Sequence, residues 1–187
     1  MACEFSGTVR RAFDNFGHDA WSCDLIPSED NSPKHVQGDA RTLLNQDWDL
    51  MIAHPPCTRL CVAGVHWLAR RNLWSELDEA ANLFSDFWNA PIPRIAVENP
   101  VMHCHAKERI TNYEPFAQTV QPWQYGHGET KRTCLWLRSL PPLVPTDVVE
   151  GREQRIYMMG ETKDRARERS RFYPGIAAAM AEQWGSL

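Results

Sequence analysis

The sequence predicts an α/β protein with a doubly wound, mostly parallel Rossmann-like sheet in a single domain. Short apolar runs typical of buried strands alternate with segments of helical apolar spacing, as in consecutive βαβ units. The clearest strand is residues 49–53, which are apolar after Asp49 and are followed by the pair Pro55-Pro56. A chain of 187 residues is long enough for one well-packed core. We therefore expect one domain over residues 1–187.

The first half of the chain alternates strand and helix. Residues 1–4 are typical of a short strand, and a helix is expected next because Val9, Phe13 and Phe16 recur at helical spacing before Gly17. The elements that we predict after this helix are strands at residues 20–23 and 35–39, a short helix at 41–45, the strand at 49–53, and one or two helices within 62–88.

The second half has weaker signals. Apolar runs predict strands at residues 94–98 and 133–137, and a late strand at 155–159. The proline-rich start of residues 141–171 makes that region a loop or linker before the last helix. Pro174-Gly175 opens this alanine-rich helix, which we place at residues 176–184.

The first predicted strand-to-helix turn has features of a cofactor-binding site. Ser6-Gly7 is a small-residue turn that lets the backbone approach a ligand at a helix start. Asp24 follows at about the offset where an acidic residue binds ribose hydroxyls, and Asp39 ends the third strand, where it can accept from an adenine amine. In the alternative interpretation Asp24 begins a turn and Asp39 caps a helix. A single glycine favours a cofactor without phosphate, such as S-adenosylmethionine (SAM).

Cys57 is the candidate nucleophile. It lies in the sequence His54-Pro55-Pro56-Cys57, where the prolines force a turn at the carboxyl end of the strand at residues 49–53. In open α/β sheets, ligands bind at that end of the strands. The alternative is a buried structural cysteine, which is the commoner role of a free thiol.

The amino-acid composition indicates in which compartment the protein acts and which partners it can bind. Six cysteines without a CxxC pair predict reduced thiols and a cytoplasmic protein. No apolar stretch approaches the roughly 18 residues of a membrane span, and no signal-peptide pattern opens the chain. The net charge of −4 disfavours general attraction to a polyanion, so nucleic acid would have to bind at a local basic patch.

Three other clusters favour structural roles. The segment at residues 163–171 has five basic and two acidic side chains and is more typical of a solvated surface than of a phosphate site. His103-Cys104-His105 would place both histidines on one face of a strand, but the chain has no further ligand pair at zinc spacing, so we expect no metal. The eight tryptophans are expected mainly in the core.

Several of these residues, taken in order, resemble the motifs of the DNA cytosine-C5 methyltransferases. The match covers Phe5-Ser6-Gly7, Asp24, Gly38-Asp39, Pro55-Pro56-Cys57 and Glu98-Asn99. From Tyr125 onward the similarity is looser and involves residues 125–133 and 172–177. As a whole, the chain resembles a compact phage or prophage member of that family, which would act in the host cytoplasm.

The resemblance implies a SAM-dependent methyltransferase. SAM would bind at Phe5, Ser6, Gly7, Asp24, Asp39 and Pro55. Cys57 would add to cytosine C6 as a thiolate, so that C5 can attack the methyl group. Glu98, with its pKa raised in a dry pocket, would protonate or hydrogen-bond N3. Arg132, or Lys131, would contact the base carbonyl or lower the pKa of the thiol.

The chain also departs from the family pattern. Fewer than about 40 residues separate Leu137 from the last helix, which leaves no room for a target-recognition lobe. The family glutamine after the cysteine is Thr58 here. The expected partner is therefore single-stranded DNA, a flipped cytosine or a free pyrimidine nucleotide, with a partner chain or homodimer supplying further contacts. The alternatives are modification of free nucleotides, and a non-catalytic phage factor that binds SAM or nucleic acid and counters host restriction.

Overall fold

The computed structural model describes residues 1–161 and 165–187. The helices in this part of the chain are α1 Thr8–Asn15, α2 Val65–Arg70, α3 Trp74–Trp88, α4 Cys104–Lys107, α5 Arg155–Met158, α6 Arg165–Ser170 and α7 Pro174–Trp184. The strands are β1 Ser22–Asp24, β2 His35–Gln37, β3 Leu50–Ala53, β4 Arg94–Asn99, β5 Gln118–Val120 and β6 Thr133–Arg138. Short 3-10 helices lie at Ala40–Leu43, Val62–Gly64 and Pro122–Gln124.

The strands form a mostly parallel sheet with one reversed member. β1 pairs in parallel with β2, and β3 pairs in parallel with β4. Ala2 joins these two groups, because it forms parallel bridges to Cys23 and to Ala53. β6 lies antiparallel between β4 and β5. The prediction of a mixed α/β fold with mostly parallel strands is confirmed.

The two faces of the sheet carry separate cores. Met51, Ile95 and Val97 point to one face, while Ile52 and Ala96 point to the other, as the alternation of side chains along a strand requires. The first face packs mainly against apolar residues of α3, and the second against α1 and α7. The packing residues of these helices are Leu77, Phe84 and Phe87 on the first face and Val9, Phe13, Ile176 and Met180 on the second.

The start of α1 is stabilised by the buried Glu4 carboxylate, a role that the sequence analysis did not predict. The Glu4 carboxylate accepts hydrogen bonds from the backbone N–H groups of Val9 at 2.7 Å and Arg10 at 3.3 Å. These amides have no partner within the helix, and a negative charge is favourable at a helix start. Ser6 contributes a further contact, because its Oγ accepts from the Thr8 amide at 3.3 Å.

Three local predictions were wrong, and one strand was missed. Residues 155–158 form the helix α5 rather than a strand. His103 caps α4 and Cys104 begins it, so the two histidines are not on one strand face. Phe16 follows α1 and is 55% exposed, so it is not part of the apolar face of that helix. β5 was not predicted at all.

The region at residues 141–171 is loop-rich but contains α5 and α6, and two isolated bridges tie it back to the body. These bridges join Tyr125 to Asp147 and Glu129 to Glu153. Of the charged segment predicted at residues 163–171, residues 163 and 164 lie outside the described part of the chain.

The large aromatic side chains divide between core and surface. Trp88, Trp136 and Trp184 are buried, as predicted, whereas Trp67 on α2 is 37% exposed. Among the helices of residues 1–161 and 165–187, none combines the length and apolar character that a membrane crossing requires.

Replacing Glu4 should test the start of α1. We expect Glu4→Ala to lower the free energy of unfolding by about 1–3 kcal/mol, because two buried amides lose a charged acceptor. Chemical denaturation measures this change. The matched control is Glu182→Ala, since Glu182 is an exposed glutamate on α7. Equal stability of the two variants would show that the Glu4 contacts contribute nothing.

Candidate active site

Residues 1–4 lie between β1 and β3, and the order in which the chain adds strands changes direction there. From this segment the chain passes to β1 and β2 on one side and then crosses to β3 on the other. In open α/β sheets, the crevice at the carboxyl ends of the strands next to such a reversal is the usual ligand site. Here Asp24 ends β1, and His54 follows β3.

The turn after β3 is fixed by β4. The Asn99 side chain is fully buried, and its Nδ2 donates to the Pro55 carbonyl at 3.0 Å. The Cys57 carbonyl then accepts from the amides of Leu60 and Cys61, both at 3.0 Å. These contacts hold the Pro-Pro turn rigid and place Cys57 at the edge of the sheet.

His54 and Glu98 lie side by side at this edge. Their Nδ1 and Oε2 atoms are 3.4 Å apart, and their side chains are 8% and 14% exposed. The His54 ring also packs against Phe172, with centroids 4.7 Å apart. Sequence reasoning quoted His54 only as part of the motif and assigned it no role.

The expected direction of the Glu98 pKa was wrong. Burial acts to raise the pKa of this carboxyl, but the hydrogen bond from His54 and the positive charge of Lys131 outweigh it. The pKa therefore lies below its ordinary value, and Glu98 is ionised at neutral pH. An ionised carboxylate accepts hydrogen bonds but has no proton to donate.

The Cys57 thiol forms a hydrogen bond with a second thiol, that of Cys61. The hydrogen bond between the two thiols, together with burial, raises the pKa of Cys57. That hydrogen bond lowers the pKa of Cys61 to about 6, and the backbone amides of Gly64 and Ala63 also favour its thiolate. Of the two thiols, Cys61 is therefore the one that loses its proton more readily.

Of the two basic residues predicted for the site, Lys131 rather than Arg132 acts on Cys57 and Glu98. The charge of Lys131 acts on both the Cys57 thiol and the Glu98 carboxylate. Arg132 is exposed, and its charge acts on Cys134 instead. The structure thus brings Cys57, Glu98, His54 and Lys131 together and leaves Arg132 outside the group.

The glycine turn at residues 5–7 is occupied by ionic contacts. Gly7 has φ +66°, and a Cβ there would lie 2.8 Å from side-chain atoms of Arg10, Arg11 and Asp30. Arg10 and Arg11 both pair with Asp30. Gly7 is therefore required by this ion cluster, whatever else approaches the turn.

The predicted cofactor carboxylates meet at the ends of β1 and β2. Burial raises the pKa of Cys3 to about 12, and the nearby negative charges of Asp24 and Asp39 add to this shift. Asp24 Oδ1 accepts from the Ile26 amide at 3.2 Å, and Asp39 caps the 3-10 helix by accepting from the Arg41 amide at 2.9 Å. The turn and cap contacts that were the alternative interpretation are thus both present.

A strap, which we define as residues 165–171, crosses the same edge. Arg167 and Arg171 both bind Glu29 Oε1, at 2.6 and 2.8 Å, and the Arg167 guanidinium lies 5.5 Å from the centre of the Phe5 ring. Lys131 Nζ donates to the Arg169 carbonyl at 3.0 Å. The strap leads directly to Phe172, which covers His54.

A cavity of about 590 Å³ lies elsewhere. It opens at the amino end of the sheet and is lined by Trp21, Leu50, Met51 and Arg94. It contains none of the predicted site residues. A second cavity, of about 450 Å³, borders the outer side of the Pro-Pro turn at Pro56, Thr58 and Arg59. At the carboxyl edge, by contrast, the Phe172 ring packs on His54.

One group of side chains has the composition of a metal site. Potential ligand atoms of Cys104, His105 and Glu108 lie within 4.8 Å of one another. Cys104 and Glu108 are exposed, and none of the predicted site residues belongs to the group. We assign no metal to it.

Comparisons with known proteins place the chain in no family. No family model and no curated protein matches it. A crystal structure of a prophage-encoded E. coli protein, provisionally described as a DNA modification methyltransferase, is similar at a TM-score of 0.46 and 16% identity. The similarity covers 73% of this chain and 44% of that one. The chain thus spans less than half the length of that protein, and likeness at this level identifies neither family nor activity.

Alkylation should distinguish the two neighbouring thiols. At pH 7 we expect iodoacetamide to modify Cys61 before Cys57, because the thiolate is the nucleophile and Cys61 has the lowered pKa. Trypsin cleaves after Arg59, so the two thiols fall on different peptides and mass spectrometry resolves them. Faster modification of Cys57 would contradict the assignment of the thiolate.

Proposed function

We propose that this chain is a SAM-dependent methyltransferase that acts on cytosine C5 in DNA or a related pyrimidine through a covalent adduct at Cys57. The observation that carries this proposal is the grouping of His54, Glu98 and Cys57 at the carboxyl ends of the parallel strands β3 and β4, with the charge of Lys131, which precedes β6, acting on Glu98 and Cys57. A thiol, a carboxylate, an imidazole and an ammonium group at one edge of a sheet can together add a nucleophile and move a proton.

The residues at the ends of β1 and β2 fit the adenosine part of SAM. Asp24 uses Oδ1 for its turn, and within the described residues its Oδ2 has no hydrogen-bond partner, so it is free for ribose hydroxyls. Leu25 and Ile26, which follow it, are 72% and 44% exposed. Exposed apolar side chains beside a carboxylate suit a purine ring next to its sugar. We infer that Phe5, Ser6, Gly7, Asp39 and Pro55 complete this site.

The proposed reaction begins with the thiol. Cytosine C5 is a weak nucleophile, and addition of Cys57 to C6 makes it an enamine. Bound SAM supplies an electrophilic methyl group on its sulfonium. Because the Cys57 pKa is raised at rest, the substrate must first separate Cys57 from Cys61, while the Lys131 charge favours the resulting thiolate. We place Arg132 at the mouth of the site, where its exposed guanidinium can meet the substrate.

A local basic surface supports a polynucleotide substrate. Residues 50–75 contain Arg59, Arg70 and Arg71 and no acidic residue, although the whole chain has a net charge of −4. Arg59 pairs with Glu76, whereas the guanidinium of Arg71 lies 4.1 Å from the centre of the exposed Trp67 ring. A cytosine must be unpaired or flipped to reach this edge, so single-stranded DNA is the favoured form. A free pyrimidine nucleotide is the alternative.

Loss of the Asp24 carboxylate should weaken SAM binding. We expect Asp24→Ala to reduce the affinity by about 1–3 kcal/mol, as for lost hydrogen bonds to a charged group. Isothermal titration calorimetry measures this change. Asp47→Ala, at an exposed aspartate near the opposite end of the sheet, should bind SAM as the unmodified protein does. Equal affinity in both variants would remove the cofactor assignment.

Cys57→Ser should abolish methyl transfer and leave SAM binding nearly intact. With the unmodified protein, a single-stranded oligonucleotide containing 5-fluorocytosine should form a covalent adduct at Cys57, because fluorine at C5 blocks the elimination that frees the enzyme. Mass spectrometry locates the adduct. The matched control is Cys104→Ser, since Cys104 is an exposed cysteine on α4.

Parallel assays with single-stranded DNA, duplex DNA and dCMP separate the possible substrates. Transfer to dCMP alone would select the free nucleotide. Bound SAM without transfer to any of them would indicate a non-catalytic binding protein. Full activity in Cys57→Ser would contradict the C5 mechanism.

A further inference from the structure

One ring nitrogen of His54 has no hydrogen-bond partner among the described residues. The His54 side chain is 8% exposed, and its Nε2 is buried without a hydrogen-bond partner in the part of the chain that the structure describes. Leaving a buried polar atom unpaired costs about 1–3 kcal/mol. Such an atom in a native fold calls for an explanation, and a role in catalysis is one.

The other ring nitrogen determines what Nε2 can do. Nδ1 lies 3.4 Å from Glu98 Oε2. An ionised carboxylate can only accept a hydrogen bond, so Nδ1 must carry a proton. Glu98 thus orients the ring, and in the imidazolium form that a proton donor requires, Nε2 carries a proton as well. The only proton that this pair can release toward a ligand is then the one on Nε2.

We propose that His54, through Nε2, is the proton donor to the pyrimidine ring, with Glu98 as its positioning residue. This inference rests on the proposed function and deepens it. The geometry that supports it is the pairing of His54 with Glu98, the unpartnered Nε2, and the position of this pair at the start of the turn that carries Cys57, whose thiol the Glu98 charge reaches.

The step balances without another reactant. As the Cys57 thiolate forms its bond to C6, the C5=C6 electron pair moves to C4–C5. The C4=N3 pair moves to N3, which takes the Nε2 proton. Methyl transfer to C5 follows, the C5 proton leaves to solvent, and N3 returns its proton to Nε2 as the C6–S bond breaks. His54 thus returns to its initial protonation state.

Phe172 must move for this contact to form. Its ring now lies 4.7 Å from that of His54, and it is joined to the strap. The strap is held by the pairs of Arg167 and Arg171 with Glu29 and by Lys131, which donates to the carbonyls of Arg169 and Arg171. In the two ion pairs the arginine side chains are 51% and 42% exposed and the Glu29 side chain is 17% exposed. Exposed ion pairs contribute roughly 0–1 kcal/mol each, so binding of a base can displace the strap and take the position of the Phe172 ring.

The test measures adduct formation on a 5-fluorocytosine oligonucleotide by unmodified protein, His54→Gln and Cys57→Ser. We expect His54→Gln to form the Cys57 adduct about 10²–10⁴-fold more slowly while binding SAM with unchanged affinity, as for a lost general acid. The control His18→Gln replaces a histidine at the opposite end of the sheet and should react at the normal rate. Circular dichroism checks that the variants are folded.

Nitrogen-15 NMR of the unmodified protein provides a measurement that needs no variant. On forming the adduct, the His54 Nε2 signal should change to that of an unprotonated nitrogen, while Nδ1 stays protonated. Equal rates for His54→Gln and unmodified protein, or an unchanged Nε2 signal, would overturn the role of His54 alone. Failure of the unmodified protein to form any adduct would overturn the proposed function and this inference with it.

Discussion

The parallel pairing of β3 with β4 fixes where the reactive side chains of this protein lie. In this register Ala53 is opposite Val97, so His54 and Glu98 are the next residues in step at the carboxyl edge. Asn99 then reaches the Pro55 carbonyl and fixes the turn that carries Cys57. Because side chains alternate along a strand, a slip of one residue would turn Glu98 to the other face and separate the pair. The apolar cores on both faces of the sheet hold this register.

In the resting structure, the buried charge at the carboxyl edge is compensated and His54 is covered. Glu98 is ionised although it is buried, because His54 and Lys131 compensate its charge. Cys61 is the more acidic of the two neighbouring thiols, and Phe172 covers His54. Under the proposed function, entry of the substrate would move the strap and the thiol proton together, which couples activation of the nucleophile to binding.

The regular parts of the fold could be predicted from sequence because their signals are local. The strand at residues 49–53 and the helix at the end of the chain depend on apolar runs and on proline. The short strand β5 has no such pattern, and its structure depends on pairing with β6. The apolar run at residues 155–159 predicted a strand, but residues 155–158 form α5, so a short apolar run alone does not distinguish strand from helix. In the site, the Cys57 and Glu98 positions followed from strand ends. The lowered pKa of Glu98 could not be foreseen, because it depends on His54, 44 residues away, and on Lys131.

The central claim is that the carboxyl edge of the sheet is one site for both cofactor and pyrimidine. A crystal structure of the protein with S-adenosylhomocysteine and a short cytosine-containing single strand tests it most directly. The account predicts the ribose at Asp24, the adenine beside Leu25 and Ile26, and the cytosine ring between Cys57 and His54 with Phe172 displaced. Ligand density only in the cavity at the amino end of the sheet, with His54 still covered by Phe172, would contradict it.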